Sequence, residues 1–328
     1  MLRLLRTNQP LAHVLVPIII GLGLLPVFHG DLIPWKFGFV DLSSLNSLPI
    51  WSIYCIQFGL IWIGSLLSNR LFNAGHFASQ INNFPEFIFA LLATVAVTGK
   101  LAILPLLALN FILLGLQSIT KVYRQNNASA EYFTSALWFG IAALTWKSMV
   151  ILLPVLLVCI LFTRAMNWRE YLVGLVGFFL PFLWLLSICY LLETQEIVVW
   201  GLSLTQEQFS EFLNMSLSWY DLLFAGIMVV LMMLAFRSYV ASYAHSTNQS
   251  KNTKSITLIA FFSFCLSGVL TPGHFLLAAS LPAIVLVIPF LFIKKRVGSG
   301  PRILFYLFLF SAFGKLIWPF AINLVGQF

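Results

Sequence analysis

The chain has 328 residues, of which 60% are hydrophobic and 9% charged, with a formal charge of +8 and a mean hydropathy of +0.97. Soluble domains carry about 25% charged residues, so this composition excludes an ordinary cytosolic globular protein, and apolar stretches of bilayer-spanning length recur from end to end. The basic surplus is scattered between those stretches and forms no patch or stripe, which excludes a nucleic-acid footprint.

In chain order the sequence predicts spans at about 11–28, 49–67, 84–98, 101–120, 133–145, 148–163, 170–191, 219–236, 255–271, 274–293 and 302–320. The expected fold is all-α: a polytopic transmembrane helical bundle of about 11 spans, with 10 as the alternative, forming one membrane-embedded domain over residues 1–328. Arg3 and Arg6 ahead of the first apolar run look like the start of a signal peptide, but no small-residue cleavage site follows, so the run reads as a retained first span. Pro17, Pro105, Pro154, Pro181, Pro282 and Pro289 fall in or near span ends, where bundle neighbours re-satisfy the freed carbonyls. Cys55, Cys159, Cys189 and Cys265 all lie inside expected spans, without disulfide or CxxC metal spacing, and read as small core residues.

With the N-terminus inside, the inner side receives Arg3, Arg6, Arg70, Lys121, Arg124, Arg164, Arg169, Arg237, Lys251, Lys254, Lys294, Lys295, Arg296 and Arg302. Lys36, Lys100 and Lys147 fall outside and Lys315 within the last span, an asymmetry that orients the chain N-in and C-out. Segments 84–98 and 133–145 reach only about 22 and 20 Å at helical rise, short of a hydrocarbon core of about 30 Å. They read as short helices inside the bundle or as half-penetrating hairpins. Either way the turns at Gly99-Lys100 and Trp146-Lys147 can sit in a protein-lined dip.

The two hairpins, 84–120 and 133–163, resemble an internal repeat: each enters near an acidic-aromatic pair at Glu86 or Glu131, turns at a lysine, and returns through a proline-containing span. Two outer segments remain. Residues 29–48 interleave aromatics with His29, Asp31, Lys36 and Asp41, and residues 192–218 carry four glutamates with Thr205 and Gln208 placed to cap a short interfacial helix. On the inner side 242–254 is polar and reads as a flexible loop, in which His245 is a poor ligand on its own.

The stretch KVYRQNNASAEYFTSALWFGIAALTWKSMVILLPVLL, followed by LFTRAMNWREYLVGLVGFFLPFL, together with the N-terminal RTNQPLAHVLVPI, resembles a family of polytopic inner-membrane proteins of unknown function from Bacteroidota. The resemblance covers about the first 190 residues, with the segment Asn167 to Glu170 its most distinctive part. It implies a bacterial inner-membrane location and carries no activity with it. In such proteins the position of Trp146 is more often tyrosine followed by proline, so Lys147 departs from the family pattern.

The sequence contains no P-loop, dinucleotide fingerprint, HExxH, EF-hand loop or GxSxG elbow, and it implies no cofactor or metal. Glycines such as Gly21, Gly23, Gly174 and Gly177 read as points of close helix approach. Asn167, Trp168, Arg169 and Glu170, beside Arg164, read as a capped helix start with an interfacial tryptophan and headgroup-facing arginines; the alternative is a docking site for a partner or an anionic lipid. Lys100 and Lys147, with His29 and Lys36, are candidates for binding an anion or lipid phosphate, set against ordinary solvent-exposed turn residues. Asp31 and Asp41 lie just past the first span, where membrane glycosyltransferases that use polyprenyl-phosphate sugars keep an acidic catalytic residue. An aspartate there can act as general base for an acceptor hydroxyl while Lys100, Lys147 or His29 neutralises the leaving phosphate. Against this, the chain is short for that class and lacks an adjacent acidic pair.

Three functions remain open. The first is a scaffold or assembly subunit of a cell-envelope system, in contact with membrane lipids and other envelope proteins. The second is a glycosyltransferase-like enzyme acting on a lipid-linked glycan at the outer side. The third is a transporter, for which Lys315, near the middle of the last span, is the test residue.

Overall fold

The computed structural model describes residues 10–25, 49–74, 82–97, 102–122, 128–163, 168–193, 219–244, 299–325 and short pieces between 251 and 292. All regular structure among them is helical: α1 (Pro10–Gly23), α2 (Ile50–Ala74), α3 (Phe84–Val97), α4 (Ile103–Thr120), α5 (Ser129–Thr145), a 3₁₀ turn Lys147–Ile151, α6 (Leu152–Thr163), α7 (Trp168–Leu191), α8 (Trp219–Ala244), a second 3₁₀ turn Ile288–Phe292, and α9 (Ser299–Val325). Segments Ile50–Asn73, Ile103–Thr120, Trp168–Leu191 and Leu223–Tyr243 are long and apolar enough to cross a membrane.

The distribution of side chains is that of a helical membrane protein. On α7, Leu172, Val176, Phe179 and Leu183 recur at helical spacing and all are exposed, as are Trp62, Ile63 and Leu66 on α2 and Ile303, Leu307 and Phe310 on α9. Stripes of this size left in water mark an interface or an aggregation hazard; against lipid they are simply solvated. Polar side chains go the other way: Gln57, Ser65, Thr94, Asn110 and Ser135 are buried between helices.

Elements adjacent in sequence pack against each other. Ser68 Oγ on α2 donates to the Pro85 carbonyl at the start of α3, 3.2 Å away, while Gly64, one turn earlier, faces Phe89, one turn later; the two helices are therefore antiparallel. α3 is 14 residues long, about 21 Å, and every residue from Phe84 to Val97 is buried. It is a short helix enclosed by the bundle. α4 and α5 are also antiparallel: Ser135 Oγ donates to the Gly115 carbonyl at 2.9 Å, and the rings of Phe111 and Trp138 stack with centroids 5.4 Å apart.

α5 and α7 run parallel and bring their backbones close together. A Cβ on Gly140 would lie 2.3 Å from the Phe178 carbonyl oxygen, and one on Gly177 would lie 2.8 Å from the Phe133 carbonyl oxygen. Gly174 allows the same between α7 and α6, where its Cβ would meet Ile160 at 3.2 Å. Pro105 stands at the third residue of α4, where the backbone N–H has no intrahelical acceptor to lose, and Pro154 stands at the third residue of α6, just past the junction with the 3₁₀ turn Lys147–Ile151.

Several boundaries differ from the sequence expectation, among them the end of α2 at Ala74 rather than 67 and the limits of α9 at Ser299 and Val325 rather than 302 and 320. α5 starts at Ser129 rather than 133, which lengthens it to 17 residues, about 25 Å. α8 continues past 236 to Ala244, because leaving the apolar layer does not interrupt intrahelical hydrogen bonding. The expected spans 255–271 and 274–293 fall largely outside the described residues.

Candidate functional site

The end of the bundle at which α1 begins gathers the polar groups. Glu86, in the first turn of α3, is 1% exposed, and its Oε2 lies 2.9 Å from Nδ1 of His13 on α1, whose side chain is 41% exposed. Asn69 of α2 donates from Nδ2 to the same Oε2 at 3.0 Å and to Asn83 Oδ1 at 3.2 Å. One helical turn on, Asn73 Nδ2 donates to Asn69 Oδ1 at 2.7 Å and to the Asn82 carbonyl at 3.3 Å, while its Oδ1 accepts the Asn82 backbone N–H at 3.1 Å. Asn82 Oδ1 in turn accepts the Phe84 N–H at 3.0 Å, satisfying an orphan donor at the head of α3. Glu86 Oε1 is buried and has no hydrogen-bond partner among the described residues.

A second cluster lies at the same end. Phe72 of α2 packs edge-on against Phe290, which also meets Tyr239 of α8, with centroids 5.7 and 5.0 Å apart. Lys254 is buried there, although 242–254 reads in sequence as a flexible loop. Its Nζ donates to the Ser242 carbonyl at 3.0 Å and lies near Ser242 Oγ at 3.2 Å, 5.5 Å from the centre of the Phe290 ring. The Tyr239 hydroxyl donates to the Lys254 carbonyl. Ser242 belongs to the last turn of α8, so the ammonium neutralises the negative end of that helix. Burial lowers the Lys254 pKa from the ordinary lysine value.

Of the residues singled out from sequence, Lys147 stands at the far end of α5, directly after Trp146, a buried residue in extended conformation that breaks the helix. Trp168 and Arg169 are exposed at the start of α7, and Glu170 is turned into the bundle at 3% exposure. Because α5 and α7 run parallel, Lys147 and the Trp168–Glu170 turn lie at opposite ends and form no common site. His29, Asp31, Lys36, Asp41, Lys100, Arg164 and Asn167 lie outside the described residues, and so does the side chain of Lys315.

The His13–Glu86–Asn69 constellation escapes sequence reading because it draws on three helices. A faint signal exists: Asn69 and Asn73 stand four apart at the end of one span, and Asn82, Asn83 and Glu86 open the next, which is too short to reach water at both ends. Chemically the site is a shielded carboxyl group joined to a half-exposed imidazole. Among the described residues no three His, Cys, Asp or Glu side chains gather as metal ligands. No protein-family model, curated protein or solved structure matches the chain.

Proposed function

We propose that the chain is a scaffold or assembly subunit of a cell-envelope system in a bacterial inner membrane, with about 11 spans and its N-terminus inside. One observation carries this reading: interior polar groups tie helix to helix. Asn110 Nδ2 donates to the Leu60 carbonyl of α2 at 3.0 Å, and Ser135 joins α5 to α4 in the same way. Such bonds build a frame. The exposed Trp168 and Arg169 at the head of α7 supply a contact for a partner or an anionic headgroup. The N-in orientation rests on the bias of Lys and Arg, and the bacterial location on the resemblance of the first 190 residues to the Bacteroidota membrane family.

Quantitative cross-linking of the full chain in native membranes tests the assignment. A stoichiometric partner lost in the double variant Trp168→Ala, Arg169→Ala and retained in Lys147→Ala is the expected result. Loss of a phosphate-bearing lipid or of glycan transfer in Lys147→Ala, with partners intact, would replace the scaffold by the transferase. The transporter reading draws on the enclosed Glu86, since an ionisable group inside a bundle commonly serves a transport path. Substrate-dependent flux abolished by a folded Glu86→Gln variant would favour it.

A further inference from the structure

Glu86 has one oxygen bonded twice and the other bonded to nothing described. The orientation of the amides around it follows from the backbone. The Asn82 N–H can only donate, so the Asn73 atom facing it at 3.1 Å is Oδ1. Asn73 therefore turns Nδ2 toward Asn69 Oδ1, and Asn69 is left with Nδ2 toward both Glu86 Oε2 and Asn83 Oδ1. Oε2 thus accepts one bond from Asn69 whatever its protonation state. The variable contact is the one to His13 Nδ1 at 2.9 Å.

The carboxyl group stands in the first turn of α3, enclosed, with Oε1 unpartnered among the described residues, and a buried oxygen without a donor carries a desolvation penalty. The imidazole, 41% exposed with Nδ1 turned inward, offers Nε2 for exchange with water.

We propose that His13 and Glu86 form a proton-binding site open to the aqueous phase at the end of the bundle where α1 begins. Nε2 of His13 takes a proton from water and the Nδ1 proton passes to Glu86 Oε2. A carboxylate facing one neutral imidazole tautomer becomes a carboxylic acid facing the other. One proton is gained per chain, and no electron moves. In the product Oε2–H donates to Nδ1 and Oε2 still accepts from Asn69. Other titratable groups on the packed elements are few among the described residues. α2 adds the exposed Arg70 beside Asn69, with Tyr54 and Cys55 toward its other end; α9 adds the exposed Arg302 and Tyr306, with Lys315 further along; Ile288–Phe292 adds none. The fixed charge of Arg70 disfavours a second proton on the pair. This inference is independent of the scaffold reading.

Infrared difference spectroscopy of the full chain in phosphatidylcholine nanodiscs tests it, with carbon-13 glutamate separating carboxyl from lipid ester bands. Acidification is expected to raise a protonated-carboxyl stretch that moves with the label and is absent in Glu86→Gln. In His13→Phe the midpoint of that band shifts by at least about tenfold in proton concentration. A band that persists in Glu86→Gln, a midpoint unmoved in His13→Phe, or a midpoint that follows sodium in place of pH overturns the proposal, the last of these indicating a metal-cation site. Should Glu86→Gln fail to fold, nitrogen-15 histidine NMR of the unaltered chain decides. A change of His13 from the Nδ1-protonated to the Nε2-protonated tautomer on acidification supports the site, and direct conversion to imidazolium sinks it.

Discussion

The seam joining α1, α2 and α3 and the seam joining α5 and α7 are closed by different means. At the first, Asn69, Asn73, Asn82, Glu86 and His13 exchange hydrogen bonds of 2.7 to 3.3 Å across three elements. At the second, Gly140 and Gly177 bring each backbone against the carbonyl oxygens of the other helix. Lipid tails are as apolar as leucine, so helices gain little by burying apolar side chains against one another; polar bonds and close contact remain as the forces of association. The glycine seam tolerates no added volume, whereas the amide seam tolerates no lost partner.

The largest effect is expected at the glycine seam. Gly140→Leu drives a side chain into the Phe178 carbonyl and Pro181, at a cost of roughly 1–3 kcal/mol or more. Gly226→Leu on α8, where a Cβ meets nothing within 4 Å, serves as the control and leaves stability nearly unchanged. Thermal melts in one detergent measure both. Equal losses in the two variants would show that the seam is not special.

Asn69→Leu comes next, because it strips Glu86 Oε2 and Asn83 Oδ1 of a donor and leaves Asn73 Nδ2 without its side-chain acceptor. A loss of about 1–3 kcal/mol follows from leaving buried groups unsatisfied. Asn110→Leu removes a bond to Leu60 O from an amide whose Oδ1 already lacks a described partner, and about 0.6 kcal/mol is the scale for such a bond in a membrane. The ordering of these two in denaturation by sodium dodecyl sulfate sharpens the contrast between a network and one bond between helices, since the other Asn110 bond, to the Leu106 carbonyl, lies within α4.

The smallest effect is a slope. Burial holds the Lys254 pKa below the ordinary lysine value, so the unfolded chain binds that proton more readily than the folded one. Stability conferred by this site therefore rises as pH climbs through the interval from the folded value to the unfolded value. Lys254→Met is expected to flatten that alkaline rise in melting temperature; an unchanged slope would place its origin elsewhere.

Helix positions were largely legible because lipid imposes a length and a composition on each segment. α4 and α7 begin and end within two residues of the apolar stretches that predict them, and α3 was read as short and is short. The polar ends were less legible. Ser129 to Tyr132 continue α5, and Arg237 to Ala244 continue α8, since a helix carries on past the point where hydropathy falls. The packing glycines Gly174 and Gly177 are legible from composition, whereas Gly140 is the one glycine of α5 and makes its small-residue spacing with Ala136, four residues earlier, which a reading for glycines alone passes over. His13, Asn69 and Glu86 sit far apart in the chain, and only the antiparallel return of α2 onto α3 beside α1 brings them together.

The complete enclosure of α3 bears on how the protein is made. At about 21 Å this segment is too short to bridge the hydrocarbon layer unaided, and its neighbours come from both ends of the chain: His13 of α1 meets Glu86, and Phe305 of α9 meets Phe84 with ring centroids 5.5 Å apart. During synthesis, α3 leaves the ribosome long before the last of its walls exists. Until Ser299–Val325 has been inserted, the Phe84 side of α3 lacks its final cover. An uncovered Phe84 face therefore distinguishes a chain halted before α9 from one in which α9 has packed against α3.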